Sequence, residues 1–201
     1  MIVIGVTGQS GAGKGSFCKA LSSFDIPCLD TDVTARNVVR KGMPCLKELT
    51  DFFGKNILLE DGNLNRKKLG SIVFSDEKLL SKLNCITHKY ITAEVQEWLT
   101  VCRKKGCLAA AIDAPQLFES GEDTICDVTV AILSEKGYRL SRILARDSIT
   151  AEYAKKRMDA QKSDEFFISR CDHIIYNNGK ENELYQKAHD FLVKIGIIKN
   201  N

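Results

Sequence analysis

The feature that most constrains this chain is a glycine-rich loop close to its N-terminus. Residues 8–14 read Gly-Gln-Ser-Gly-Ala-Gly-Lys and fit the pattern G-x-x-x-x-G-K. A β-branched segment at residues 2–6 precedes the loop, and residues 14–24 have the spacing of a helix. In such a unit the glycines let backbone N–H groups turn toward phosphate oxygens, and the helix start adds partial positive charge. The loop predicts a phosphate-binding site; a glycine-rich turn without a ligand is the alternative.

The residues of the loop indicate how a nucleotide would be held. Lys14 is expected to reach the β- and γ-phosphates. The residues expected to contact the nucleotide are Gly11, Ala12, Gly13, Lys14, Gly15 and Ser16. One position departs from the pattern, because Gly15 stands where a Ser or Thr hydroxyl usually binds Mg²⁺, and the hydroxyl follows at Ser16. Either Ser16 reaches the ion, or water replaces the missing ligand, or catalysis is weakened.

Composition limits the classes of protein that this chain can belong to. Its 201 residues, 44% of them hydrophobic, are enough for one compact domain. The 29 Lys and Arg nearly balance the 26 Asp and Glu, which argues against general binding to nucleic acid or membrane. Eight cysteines without a C-x-x-C pair, and no leader or long apolar segment, predict a soluble cytoplasmic protein with reduced thiols.

Short apolar segments alternate with helical ones along the rest of the chain. Further strands are predicted at residues 26–30, 108–112, 128–133 and 174–176. Residues 33–105 are helical, with a long helix at about 76–102. The pattern predicts an α/β fold with a mainly parallel central sheet flanked by helices. Residues 136–170 are helical and strongly basic, which is typical of a mobile lid or of an ordinary solvated helix face.

Two carboxylates follow the second predicted strand. Asp30 and Asp32 would lie at the carboxyl edge of the sheet, where ligands bind in such folds. One of them could accept or orient the proton of a hydroxyl that attacks a phosphate. A helix N-cap is the alternative interpretation of either residue.

Taken together, these motifs resemble the dephospho-CoA kinase family over nearly the whole chain. The resemblance rests on the loop at 8–14, Asp30-Thr31-Asp32 with Ala35-Arg36, residues 53–54 and 61–66, Val73-Phe74, Leu83-Asn84 with His88, residues 113–119, Arg139-Leu140, Arg142, Arg146, Arg157, Ala160-Gln161 and residues 172–179. It implies a P-loop kinase that uses ATP and Mg²⁺ to phosphorylate the ribose 3′-hydroxyl of dephospho-CoA. It also implies a core at about 1–32, 107–134 and 171–201, a helical acceptor-binding insertion at about 33–106, and a basic helical lid at about 135–170.

On the acceptor side, the resemblance assigns roles to four residues. Asp32 would be the catalytic base or orienting group, and Arg36, His88 and Phe118 would bind the acceptor. His88 could equally be a helix surface residue. Phe118 could equally be part of the core.

On the nucleotide side, the resemblance adds four further residues. Arg146 and Arg157 would meet the phosphates from the lid, and Asn177 would border the adenine. Asp113 would hold Mg²⁺, through water if not directly. The alternatives are solvated arginines, a turn at Asn178-Gly179, and a buried Asp113 with a backbone partner.

Several residues differ from the usual family pattern. Besides Gly15, these are Asn65, Lys89, Ala114, Gln116, Lys136 and Gly137. They leave two alternatives open: a P-loop kinase for another nucleoside, nucleotide or coenzyme acceptor, and a catalytically weak nucleotide-binding protein.

Overall fold

The structure is a computed structural model that describes residues 1–199, except for the side chain of Glu181. Its strands are β1 (Ile2–Gly8), β2 (Cys28–Asp30), β3 (Ala109–Asp113), β4 (Val128–Leu133) and β5 (His173–Tyr176). Its helices are α1 (Lys14–Ser22), α2 (Thr31–Asn37), α3 (Pro44–Phe53), α4 (Arg66–Val73), α5 (Glu77–Lys104), α6 (Lys136–Asp147), α7 (Ala151–Asp159), α8 (Asp164–Ile168) and α9 (Glu181–Lys194). Two 3₁₀ turns cover Lys55–Ile57 and Glu122–Ile125.

The five strands form one sheet in the order β2-β3-β1-β4-β5. β1 lies in the middle and pairs in parallel with β3 and β4, and β4 pairs in parallel with β5. The predicted α/β fold and its strands are therefore confirmed. β2 begins two residues later than predicted: the Pro27 carbonyl accepts the Ala111 N–H at 2.8 Å, but proline has no N–H to donate to a sheet ladder. The glycine-rich loop leaves the carboxyl end of the central strand.

The chain divides into two compact units, residues 1–29 with 101–199, and residues 30–100. In the first unit, α1 and α9 cover one face of the sheet. The aromatic rings of Phe17 and Phe191 meet edge to face at 5.8 Å, and both pack against Ile4 and Ile132 of the central strands. Each such fully buried side chain contributes about 1.5–3 kcal/mol to folding. This packing holds the helix that follows the glycine-rich loop against the sheet.

The second unit consists of helices and short turns. Leu46 and Leu49 of α3 are buried together with Ile57 of the 3₁₀ turn, and an isolated antiparallel bridge joins Leu58 to Leu64. The predicted long helix is confirmed as α5, which spans 28 residues. Among residues 1–199, no helix is long and apolar enough to cross a membrane. All eight cysteines are free thiols in the structure.

Two departures from the family pattern have a local structural reason within this second unit. Asn65 is the N-cap of α4, and its Oδ1 accepts the Lys68 N–H at 2.9 Å, a bond for which Asn and Asp are equally suitable. Lys89 donates to Glu48 at 2.9 Å, and Tyr90 donates to the same carboxylate oxygen at 2.6 Å. These hydrogen bonds join α5 to α3.

Candidate active site

The glycine-rich loop has a backbone conformation that requires glycine at three positions. Gly8, Gly11 and Gly13 have φ values of 130°, 77° and 102°, which residues with a Cβ rarely adopt. A Cβ at Gly8 would also collide with the Ile132 carbonyl, and one at Gly13 with Nδ2 of Asn177. Gly13 is the N-cap of α1, so the loop leads directly into the positive end of that helix.

Three side chains from distant parts of the chain bind the carbonyl groups of this loop. Arg139 Nε donates to Ser10 O at 3.1 Å, and Arg142 NH1 donates to Gly11 O at 3.3 Å and Ala12 O at 3.4 Å. Asn177 Nδ2 donates to Ala12 O at 2.7 Å. In a trans peptide the C=O and the next N–H point in opposite directions. Holding the Ser10 and Ala12 carbonyls therefore turns the N–H groups of Gly11 and Gly13 away from these donors, whereas the Ala12 N–H donates to Gln9 O at 3.2 Å.

These donors are themselves fixed by hydrogen bonds and burial. Arg142 also donates to Ser134 Oγ at 3.2 Å and to the Asn177 carbonyl at 3.0 Å, and Ser134 donates to that carbonyl at 2.7 Å. Arg139 is only 3% exposed. Burial lowers the pKa of Arg139, and the nearby Asp164 and Asp159 oppose this shift, so the guanidinium keeps its charge at neutral pH. These hydrogen bonds fix the orientation of the loop carbonyls.

Lys14 and Asp113 act electrostatically on the same buried thiol. Lys14 is the first residue of α1, and its Nζ donates to Gly8 O at 2.9 Å. The pKa of Cys18 is raised, first by its hydrogen bond to Cys28, then by burial and by the Asp113 carboxylate, and the charge of Lys14 opposes this shift. The two charges therefore shift the pKa of this α1 thiol in opposite directions.

The carboxyl end of β3 and the first turn of α1 offer oxygen ligands for a divalent cation. Asp113 ends β3 and lies in register with Val6 of β1. Ser16 is exposed in the first turn of α1. A Cβ added to Gly15 would meet no atom within 4 Å, which leaves space for water where a Ser or Thr side chain usually stands. Carboxylate, hydroxyl and water suit Mg²⁺, which commonly retains several waters, so these residues fit the ion.

Arg146 and Arg157 lie together on one carboxylate. Arg146 donates to Asp147 through Nε at 2.6 Å and NH2 at 2.8 Å, and Arg157 NH1 donates to the same group at 2.8 Å. Hydrogen bonding to Arg146 lowers the pKa of Asp147, and the charges of both arginines add to the effect. Both guanidinium groups are about half exposed. Their predicted contact with phosphates stays a prediction.

Phe118 belongs to an aromatic and cationic cluster and not to the buried core. Its ring contacts the ring of Phe166 edge to face at 5.9 Å. The Arg170 guanidinium lies 5.6 Å from the centre of the Phe118 ring and 4.5 Å from that of Phe166. Phe118 is half-buried and lies five residues after the end of β3.

Asp30 and Asp32, the two carboxylates after the second strand, have different surroundings. Asp30 is the N-cap of α2, and its Oδ1 accepts the N–H of Asp32 at 2.8 Å and of Val33 at 3.1 Å. The N-cap interpretation is thus confirmed for Asp30. Asp32 lies exposed in the first turn of the same helix.

The other two predicted acceptor residues also lie in the second unit. Arg36 is exposed in α2, and its carbonyl accepts a hydrogen bond from Arg66 NH2 at 3.5 Å. His88 is half-buried in α5, and burial lowers its pKa, so its imidazole is neutral at pH 7.

The contacts of Arg139 and Arg142 with the loop carbonyls were missed by the sequence reasoning. Both residues belong to the segments that carry the family resemblance, but the helical spacing of residues 136–147 does not show which arginines face the loop. Arg139 and Ile143 are the buried residues of α6 and lie one turn apart, but Arg142 and Arg146 share this spacing, so the pattern does not single out the loop-binding arginines.

The fold and the loop define the class of protein. A parallel sheet with a phosphate-binding loop at the end of its central strand is the fold of P-loop kinases, and the shikimate kinase of Acinetobacter baumannii shares it at a TM-score of 0.56 with 11% identity over 98% of this chain and 96% of that one. A family model described as dephospho-CoA kinase matches residues 2–183. The chain belongs to the dephospho-CoA kinase family.

Individual relatives agree with this membership. A dephospho-CoA kinase of Bacillus cereus is 34% identical over 89% of both chains. A dephospho-CoA kinase of Saccharomyces cerevisiae is 35% identical over 97% of this chain and 83% of its own length. The solved structure of the dephospho-CoA kinase from Campylobacter jejuni has a TM-score of 0.70 and 27% identity, covering 96% of each chain.

Proposed function

We propose that the chain transfers the γ-phosphate of ATP to the ribose 3′-hydroxyl of dephospho-CoA and so forms coenzyme A. The observation that carries this proposal is the glycine-rich loop, whose outer carbonyls are bound by Arg139, Arg142 and Asn177 in a chain of the dephospho-CoA kinase family. In the reaction, the bond between the γ-phosphorus and the β,γ-bridging oxygen breaks and ADP leaves. The 3′-oxygen forms the new bond to phosphorus and loses its proton.

On the nucleotide side, the loop would bind the β- and γ-phosphates through backbone N–H groups. Lys14 would exchange its hydrogen bond to Gly8 O for the phosphates and offset their negative charge. Arg146 and Arg157, which share Asp147, would approach the transferred phosphoryl group from the basic segment at about 135–170. Asn177, which is 6% exposed, would border the adenine while its amide continues to hold the Ala12 carbonyl.

On the acceptor side, Asp32 would accept or orient the 3′-hydroxyl proton. Asp30 is committed to two backbone N–H groups of α2, whereas Asp32 is exposed. Arg36 of the same helix would bind the acceptor through its charge. His88 and the ring of Phe118 would contact uncharged parts of the acceptor, because His88 is neutral and Phe118 is half-buried.

Mg²⁺ would be held by Asp113, directly or through water, and by Ser16. When bound, the ion supplies positive charge to the β- and γ-phosphate oxygens. The core at about 1–32, 107–134 and 171–201 would bind ATP, and the segment at about 33–106 would bind dephospho-CoA. With its free thiols and its small-molecule substrates, the protein would act in the cytoplasm.

Replacing Gly15 by serine tests the metal site. The position has space for a side chain, and the hydroxyl would add a direct oxygen ligand to the ion. The Mg²⁺ concentration for half-maximal rate should fall by about three- to tenfold in G15S. The control is G15A, which adds the Cβ without the hydroxyl and should leave the Mg²⁺ requirement unchanged. An equal effect of both substitutions would show that the hydroxyl does not reach the metal.

A panel of acceptors tests the function itself. Purified protein is given ATP and Mg²⁺ with dephospho-CoA, adenosine, a nucleoside monophosphate or shikimate, and ADP formation is followed. The value of kcat/KM should be at least about tenfold higher for dephospho-CoA than for the others, because they lack the groups that the acceptor site would bind. A preference for another acceptor would leave a P-loop kinase of different specificity, and ATP binding without turnover would leave a nucleotide-binding protein.

A further inference from the structure

A glutamine outside the glycine-rich loop links that loop to the basic helical segment. Gln161 lies between α7 and α8, and its Oε1 accepts the backbone N–H of Ser10 at 3.1 Å. The same oxygen accepts NH2 of the buried Arg139 at 2.7 Å. Arg139 in turn donates through Nε to Ser10 O. Ser10 is therefore held at both its N–H and its C=O by one closed set of hydrogen bonds.

The chemistry of the partners determines the orientation of the Gln161 amide. Both the Ser10 N–H and the Arg139 guanidinium can only donate, so the oxygen of Gln161 and not its NH₂ group must face them. The bond from Arg139 is charge-assisted and short, which makes it stronger than a neutral hydrogen bond. If position 161 had no acceptor oxygen, Arg139 NH2 and the Ser10 N–H would both lose this hydrogen bond.

A second hydrogen bond runs beside the first. Gln9, which is 5% exposed, donates through Nε2 to the carbonyl of Lys162 at 2.9 Å. Two consecutive loop residues, Gln9 and Ser10, are thus bound to two consecutive residues of the segment between α7 and α8. Because the Ser10 N–H is bound to Gln161, the orientation of the peptide group before Ser10 is fixed. The backbone of the next loop residues therefore starts from a fixed position.

We propose that Gln161 is a positioning residue for phosphoryl transfer: acting through Arg139, it sets the backbone of the loop at Ser10. This inference rests on the proposed kinase function but concerns the ATP side alone. A displacement of the loop by about 1 Å is enough to slow a transfer by about 100-fold, because the attacking and leaving oxygens must be in line. The affinity for ATP should depend less on such a displacement, because the contacts of the adenine and the ribose would not change.

The test compares Q161M, which has a similar volume and no acceptor oxygen, with Q161E, which retains the acceptor. We expect Q161M to lower kcat at least about tenfold while the dissociation constant of ATP changes less than about threefold. Q161E should have a kcat at least about fivefold higher than that of Q161M, because its carboxylate accepts both bonds. The control is Q186M, because Gln186 is an exposed glutamine of α9. Its kcat and its dissociation constant for ATP should match those of the wild-type protein.

A purely structural role would predict a different pattern. Loss of thermal stability in Q161M with kcat within twofold of wild type, or equally slow Q161M and Q161E, would overturn the proposal. If Q161M does not fold, Q161N takes its place, since its amide is one methylene too short to bridge Ser10 and Arg139. The slow hydrolysis of ATP without acceptor is measured on the same proteins, with the same order expected. If the wild-type protein does not phosphorylate dephospho-CoA, the proposed function is wrong. The ATP hydrolysis rates of the wild type and the Gln161 variants would still test the role of Gln161.

Discussion

Replacing Lys14 by alanine should lower kcat for phosphoryl transfer by about 100- to 1000-fold, the effect of removing one charge that stabilises the transferred group. Fold and stability should change little, because Lys14 is half-exposed and its hydrogen bonds are to backbone carbonyls of the loop. Initial rates with saturating ATP and dephospho-CoA measure the effect, and a thermal unfolding curve checks the fold.

The matched control for Lys14 is Lys19. It lies in the same helix, is exposed, and carries the same charge at the other end of α1. K19A should therefore retain wild-type kcat. If K14A turned over within twofold of wild type, Lys14 would have no part in the transfer, and the loop would be a binding element only.

Replacing Asp32 by asparagine should lower kcat by about 100- to 10,000-fold, because a positioned carboxylate that accepts or orients the hydroxyl proton contributes about that much. Asparagine preserves the size of the side chain, so the dissociation constant of dephospho-CoA should change by less than about threefold. Single-turnover kinetics and equilibrium binding on the same preparation separate the two quantities.

Asp30 provides the control for Asp32. The D30N variant removes the same charge two residues away. Its asparagine can still accept hydrogen bonds from the N–H groups of Asp32 and Val33. D30N should therefore keep both stability and kcat close to wild type. The D30A variant, which lacks the cap, should unfold with a free energy lower by about 1 kcal/mol. Should D32N turn over like wild type, Asp32 would not be the base, and Asp113 would be the next carboxylate to test.

The parts of the structure that depend on local pattern were predictable from the sequence. Residues 128–133 were predicted as a strand and form β4 with the same bounds, since a β-branched segment between charged residues has few alternatives. The loop was predictable for a similar reason, because its glycines have φ values that other residues rarely adopt. Asp30 as an N-cap was one of two interpretations, and the structure confirms it.

The parts that depend on contacts between distant residues were not predictable in the same way. Asn177 is 165 positions from Ala12, and Arg142 is 130 positions from it, yet both bind its carbonyl. Spacing along α6 does not distinguish Arg139 and Arg142, which contact the loop, from Arg146, which binds Asp147. In the sequence, Lys89 is only a departure from the family pattern. In the structure it donates a hydrogen bond to Glu48, 41 positions away, which the sequence does not predict.

The most direct test of the central claim is the identity of the product formed from ATP and dephospho-CoA. The reaction is run to completion with Mg²⁺, and the acceptor is isolated and studied by phosphorus NMR and mass spectrometry. The account predicts one new phosphomonoester on the ribose 3′-oxygen and one ADP for each coenzyme A formed, and no product with K14A. Formation of ADP with an unchanged acceptor, or a phosphate on any other oxygen, would contradict it.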